Sequence, residues 1–163
     1  MTVRVVFYIY KPHCSLNFVS LRSGGNDFYN WFLGPRMIYT SGIVTDITRE
    51  ETLEELQDNK LRIVCEKLNL QPGDTLLDIG CGWGTLVAFA AKNYGVKALG
   101  VTLAKEQAAF GNQRIKDNEL TSDQAEVLCC DYRDIPRHRK FTKIVSLEMA
   151  EVLPNPLSFF YSN

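Results

Sequence analysis

The stretch Leu76-Leu77-Asp78-Ile79-Gly80-Cys81-Gly82-Trp83-Gly84 is where this chain concentrates chemistry. An apolar run reaches a carboxylate and then three glycines at alternate positions. Glycines so spaced let the backbone bend sharply and approach a ligand with no Cβ in the way. A turn of this kind, between a strand and a helix, is where open α/β sheets bind nucleotide-type ligands. A dinucleotide site would read GxGxxG, so that helix amides receive a pyrophosphate, whereas this turn reads GxGxG after Asp78. A carboxylate at the strand end suits a ligand with a cationic portion, and S-adenosyl-L-methionine carries both an ammonium and a sulfonium. Asp78, Gly80, Cys81, Gly82, Trp83 and Gly84 are therefore expected to hold that cofactor. The competing reading is a tight structural turn capped by Asp78.

Two further strand ends belong to the same expectation. Nucleoside-binding sheets place an acidic residue after the second strand to accept from ribose hydroxyls. Here that position reads Gly100-Val101-Thr102-Leu103, with no carboxylate before Glu106. Thr102 and Gln107 are the nearby side chains able to replace it by neutral hydrogen bonds. After the third strand, Asp131 has the chemistry to accept from an adenine amino group and Tyr132 to offer a flat ring contact. A surface ion pair between Asp131 and Arg133 is the equal alternative.

These residues need elements to place them. Thr75 to Ile79, Lys97 to Val101, Val127 to Cys130 and Lys143 to Leu147 read as short, nearly continuous apolar strands. Thr85 to Tyr94 and Lys105 to Asn118 read as helices between them, the first stopped by Gly95 in a left-handed cap. Strand and helix in alternation, with apolar strands, argue an α/β fold: a parallel sheet with helices on both faces. Upstream, Thr48-Arg49-Glu50-Glu51 has the pattern of a capping box that would open a helix. That helix carries apolar residues at a 3.6 period, acids early and bases late, its charges forming a solvated face. Asn26 to Met37, with Phe28, Tyr29, Trp31 and Phe32, reads as a lid packing on the core. Residues 1–25, with a strand-like run Val3 to Tyr10 and the break Ser23-Gly24-Gly25, read as a separate arm.

Composition narrows the function classes. The 163 residues, 45% apolar and 23% charged, fit one domain. A formal charge of -1 gives no footprint for a polyanion, so no nucleic-acid partner is expected. No apolar run approaches the roughly 18 residues of a membrane span. Five cysteines without a CxxC pair, and only two histidines, fit neither a disulfide framework nor a zinc site. Reduced thiols in an intracellular compartment are expected, and no secretory signal pattern is present at the start.

The segments LLDIGCGWG, GVTLAKEQ, DYRD and SLEMAE, in this order and preceded by NDFYNWFLGPRMIYTSG, resemble a known family. They are similar to the cyclopropane fatty acid synthase and mycolic acid synthase methyltransferases, and within these to the fungal sphingolipid C9-methyltransferases. The resemblance covers about Asn26 to Glu151. It implies a Rossmann-like methyltransferase fold, with a helical lid over residues 26–70 and a partial methyltransferase domain over 71–163. It implies methyl transfer from S-adenosyl-L-methionine to a lipid double bond, with C9 of a ceramide-type long-chain base as the expected position. It also implies a peripheral membrane setting. By the same likeness Tyr39 and Thr40 touch the cofactor from the lid, and Thr102, Leu103 and Gln107 hold its ribose. Asp131 and Tyr132 then meet its adenine, and Glu151 is the carboxylate near the reacting carbon. An alkene attacked by a methyl group leaves a cation, which a carboxylate can stabilise and a base must then relieve of a proton.

After Glu151 the family continues His-Val-Gly, whereas this chain reads Val152-Leu153-Pro154-Asn155-Pro156. The expectation is a truncated product lacking later strands of the sheet. Three alternatives accompany the main reading: a cyclopropane-forming acyl phospholipid synthase, a noncatalytic cofactor-binding fragment, and a methyltransferase for small molecules. A dehydrogenase ranks last.

Overall fold

Parallel pairing organises the chain into one twisted sheet, seen in a computed structural model that describes residues 4–8 (as backbone), 25–136 and 138–147. The strands are β1 (Arg4–Tyr8), β2 (Thr75–Ile79), β3 (Lys97–Thr102), β4 (Ala125–Cys129) and β5 (Lys143–Leu147), in the order β1-β5-β2-β3-β4. The helices are α1 (Gly25–Leu33), α2 (Leu53–Lys67), α3 (Thr85–Tyr94) and α4 (Lys105–Asp117). β2 sits centrally, with β3 on one side and β5 on the other. The chain thus winds outward in two directions from β2, and ligands collect where the order reverses.

Alternation along the strands sends Leu76, Ala98, Val127 and Val145 into a core with Val64 and Leu68 of α2, Val87 of α3, and Ala108 and Ile115 of α4. The other face carries Leu77, Ile79, Leu99 and Val101, covered by Tyr132, Ile135 and Phe141 from the β4–β5 connection. Helices were expected on both faces. Among the described residues they pack on one, and an irregular segment shields the other.

Two local expectations change. The arm was read as separate, yet β1 pairs in parallel with β5 along its whole length, from Arg4 with Lys143 to Tyr8 with Leu147. The capping box also moves. The N-cap of α2 is Thr52, whose hydroxyl accepts from Glu55 N while the Glu55 carboxylate accepts from Thr52 N at 2.7 Å. Thr48 instead donates its N–H and hydroxyl to Asp46 Oδ1, and Glu51 is occupied by Thr45. Both threonines have a glutamate three residues on, but only Thr52 is followed directly by the apolar stripe. The Gly95 cap holds as expected, with φ 64 and its N–H donating to Ala91 O.

Two arginines hold the lid, one within it and one from the sheet domain. Arg36 makes a bidentate pair with Asp58 of α2, at 2.6 and 2.5 Å. Arg114 of α4 reaches back to the carbonyls of Pro35 and Arg36 and to the hydroxyl of Thr85. Burial lowers the pKa of Arg114 to about 10, with the Arg36 charge adding to the effect. No helix among the described residues is long and apolar enough to cross a membrane.

Candidate functional site

The glycine turn folds back over the end of β3, with the N–H groups of Gly80 and Cys81 both donating to Val101 O at 3.0 and 3.1 Å. Its glycines divide the work. Gly82, at φ 55, faces open space, and a Cβ there would meet nothing within 4 Å. At Gly84 a Cβ would lie 2.9 Å from Val127 Cγ2 and 3.2 Å from Gly111 Cα. Gly82 therefore leaves room for a ligand, whereas Gly84 lets α3 pack against α4 and β4. Cys81 sits half-buried under the turn, and burial next to Asp78 pushes its thiol far above the usual range. It is packing, not a nucleophile.

Above this turn lies a cleft walled by Met37, Ile38, Tyr39 and Thr40 of the lid and by Lys60 and Leu61 of α2. Its floor is Asp78, Gly80, Cys81, Gly82, Trp83 and the start of α3, with Leu147 of β5 at the side. The lid and the turn, far apart in sequence, are thus brought together as expected. Trp83 is 3% exposed, and its indole N–H donates to Asn26 Oδ1 at 2.8 Å. Its ring packs with Tyr29 at 4.9 Å and Tyr39 at 5.9 Å between centroids. The aromatic patch is split: Tyr29 and Leu33 pack inward on Trp83, while Trp31 and Phe32 point outward.

Asp78 is 3% exposed, and its carboxylate makes no hydrogen bond or ion pair with any described residue. Burial alone raises its carboxyl to about 7. An isolated buried carboxylate is costly, and a nearby cation or a proton relieves the cost. On a cleft floor, that cation can come from a ligand.

The remaining expected contacts stand beside the cleft, over the ends of β3 and β4. Thr102 donates its hydroxyl to Gln107 Oε1 at 2.7 Å, and Leu103 is exposed. That bond leaves the Gln107 amide N–H groups as donors. Asp131 accepts from the N–H, Nε and Nη2 of Arg133 at 2.9, 2.8 and 2.7 Å. Arg133 holds its carboxyl down at about 2. The surface ion pair weighed as the alternative is therefore present. The guanidinium also lies over the Tyr132 ring, 5.9 Å from its centroid. Glu151 lies outside the described residues.

Sequence reasoning missed two side chains of α2. Its charges were read as a solvated face, yet Lys60 is 5% exposed and donates to the hydroxyl of Thr40. Gln57, one turn earlier and 1% exposed, donates to Thr40 O at 2.8 Å. Both fall on the stripe of Leu53, Leu61, Val64 and Leu68, at the spacing of buried positions, and that was the available signal. Among the described residues no group of His, Cys, Asp and Glu is arranged to hold a metal ion.

Comparison with known proteins fits this geometry. The family described as mycolic acid cyclopropane synthetase matches residues 22–161, continuing past Glu151, where the motif likeness ends. Sphingolipid C9-methyltransferase 1 of Gibberella zeae is 66% identical over 127 residues, covering 78% of this chain and 25% of that protein. Sphingolipid C9-methyltransferase of Candida albicans is 56% identical over 131 residues, covering 78% and 26%. The chain thus spans about a quarter of the length of these relatives. Among solved structures, the mycolic acid cyclopropane synthase CmaA1 complexed with SAH and CTAB superposes with a TM-score of 0.65 and 33% identity. That match covers 77% of this chain and 42% of the other. The cyclopropane synthase MmaA2 of Mycobacterium tuberculosis gives a TM-score of 0.66 and 38% identity over the same shares. The motifs that suggested this group and the parallel α/β sheet are both borne out, and the chain belongs to the mycolic acid cyclopropane synthetase family.

Proposed function

We propose that this chain is the cofactor-binding part of an S-adenosyl-L-methionine-dependent C-methyltransferase whose substrate is a lipid double bond, with C9 of a sphingolipid long-chain base the favoured position. The observation that carries the reading is the buried carboxylate of Asp78 on the floor of a cleft, with no ion pair to any described residue. The open backbone at Gly82 beside it leaves space for a ligand where side chains would otherwise fill the turn. When bound, S-adenosyl-L-methionine supplies an electrophilic methyl group on a cationic sulfur.

The chain's own residues then have distinct tasks. Asp78 receives the ammonium of the cofactor's amino-acid end. Tyr39 and Thr40 close over that end from the lid, and the Trp83, Tyr29 and Tyr39 rings keep water from the adjoining wall. Thr102 orients Gln107 by accepting none of its protons, so that the Gln107 amide faces the ribose as a donor. Asp131 and Tyr132 take the adenine, and Arg133 keeps Asp131 ionised and fixed. Glu151 is the carboxylate assigned to the reacting carbon. The relatives named for sphingolipid C9 support the lipid class, as do Trp31 and Phe32 standing outward on α1. The thiols of Cys65, Cys81, Cys129 and Cys130 agree with a reducing intracellular setting, and a peripheral membrane site belongs to the same reading.

Calorimetric titration of the folded chain with S-adenosylhomocysteine, followed by incubation with labelled S-adenosyl-L-methionine and a sphingolipid extract, tests it. Uptake of S-adenosylhomocysteine and label in the long-chain base are expected. Uptake of NADH instead, or no uptake by folded protein, would overturn the reading.

A further inference from the structure

The lid meets the sheet domain through a small core of its own. Leu33 and Met37 of the lid enclose Trp83 of the glycine turn, with Tyr29 and with Phe110 of α4 packed against them. The chain reaches this core through a tight turn, Gly34 to Met37, in which Met37 donates its N–H to Gly34 O at 3.1 Å. Gly34 has φ 66, which glycine accepts, but Met37 has φ 52, an uncommon conformation for a residue with a long side chain. Such a residue stays in this region only where its surroundings over-determine it. Ile38, Tyr39 and Thr40, which follow directly, form the lid wall of the cleft.

Arg114 supplies the constraint. Its Nη2 donates to Pro35 O at 2.8 Å, and its Nη1 donates to Arg36 O at 3.1 Å and to the hydroxyl of Thr85. Thr85, the first residue of α3, donates that hydroxyl to Arg36 O at 2.7 Å. Arg36 O thus receives one donor from α3 and one from α4. All three oxygens that Arg114 meets are uncharged, and its planar fork spans two successive carbonyls, a geometry that a lysine ammonium on its flexible stem does not fix. The guanidinium also lies over the Phe110 ring, 5.2 Å from its centroid, and so roofs the small core. At the other end of α1, Asn26 donates to Glu106 O at 3.2 Å, which ties the lid helix to the start of α4 as well.

We propose that Arg114 is a positioning residue: by holding the carbonyls of Pro35 and Arg36 against α4 and Thr85, it keeps the strained turn at Met37 in place and so sets Ile38, Tyr39 and Thr40 over the glycine turn. Without it the turn relaxes, Met37 leaves Trp83, and the lid wall of the cleft moves away from its floor. The placement of the lid is a property of the chain itself, and only its consequence for ligand affinity rests on the cofactor reading above.

The test is made first without ligand, on the full chain. In a Trp31→Phe background Trp83 is the one tryptophan left, and it is buried. Arg114→Met is expected to shift Trp83 emission to longer wavelength. It is also expected to lower the hydrogen-exchange protection of the Met37 amide about tenfold or more, the scale of a lost hydrogen bond from a charged group, with the amides of β2 and β3 unchanged. Arg114→Lys should recover part of both. Thr85→Val, which removes one of the two donors on Arg36 O, should move both readouts the same way by less, and it carries the test if Arg114→Met does not fold. Calorimetry with S-adenosylhomocysteine then reads the link to the cleft. Affinity should fall by the factor by which the closed lid is depopulated, and saturating ligand should return Trp83 emission to that of the unaltered chain. Unchanged Trp83 emission and Met37 protection in folded Arg114→Met, or in Thr85→Val standing in for it, would overturn the proposal. So would a loss of protection spread equally over β2 and β3, the mark of a merely structural residue. Failure of the unaltered protein to bind S-adenosylhomocysteine would instead remove the cofactor reading, with the ligand-free readouts still deciding how the lid is placed.

Discussion

Asp78 and Asp131 are the same residue type at the ends of two strands of one sheet, and their surroundings treat them in opposite ways. Asp131 has a cation two residues along, and three Arg133 donors hold its carboxyl at about 2. Asp78 is buried with no partner among the described residues, and its carboxyl rises to about 7. One carboxylate is complete within the chain. The other is completed by something that binds, and a cationic ligand is the economical answer. The difference separates a recognition group, fixed in advance, from a charge whose stability depends on occupancy.

Stability against pH gives the largest contrast. An acid whose folded pKa is raised keeps its proton longer in the folded state, so its contribution declines as pH climbs from the unfolded value towards the folded one. For Asp78 that window runs from about 4 to about 7, and the decline is on the order of 4 kcal/mol. Denaturant titrations across this range should show the decline in the unaltered chain and not in Asp78→Asn. Asp131 has the opposite sign: its contribution is present above about 4 and is lost as pH falls towards 2. Asp131→Asn should leave the profile between pH 4 and 8 unchanged.

Ligand affinity comes next. Asp78→Asn should weaken S-adenosylhomocysteine about a hundredfold, the scale of a hydrogen bond to a charged group. Asp131→Asn should weaken it less than about tenfold, because an amide oxygen still accepts from adenine and the lost Arg133 pair is largely solvent-exposed. Equal losses in the two variants, read by calorimetry, would erase the distinction. The smallest effect is expected for Arg133→Met, which releases Asp131 from its partner while leaving its charge in place. Affinity should change only a few-fold, with the Asp131 titration moving up towards the ordinary carboxylate range.

The sequence disclosed the site's frame more fully than its walls. β2, the glycine turn, α3 and the Gly95 cap follow from local rules: an apolar run, glycines in αL positions, and a helix between them. That the lid packs on the core was read from its aromatic residues, whereas the place of Tyr39 and Thr40 at the turn came through resemblance. Lys60 and Gln57 were hidden because a charged or amide residue on a helix is usually solvated, and only the packing of Thr40 against α2 turns them inward. The pairing of β1 with β5 was invisible for another reason. It joins residues at the two ends of the described chain, and no local pattern specifies such a partner. The helix-free face likewise depended on where the β4–β5 connection lies rather than on any strand's own alternation.

Proton release on binding tests the central claim most directly. S-adenosylhomocysteine is titrated into the chain at pH 6 and pH 8 in buffers of different ionisation enthalpy. If the ligand's ammonium takes the place of the proton on Asp78, most of a proton leaves at pH 6 and much less at pH 8. Binding at pH 6 with no proton released would mean that Asp78 does not meet the ligand's positive charge.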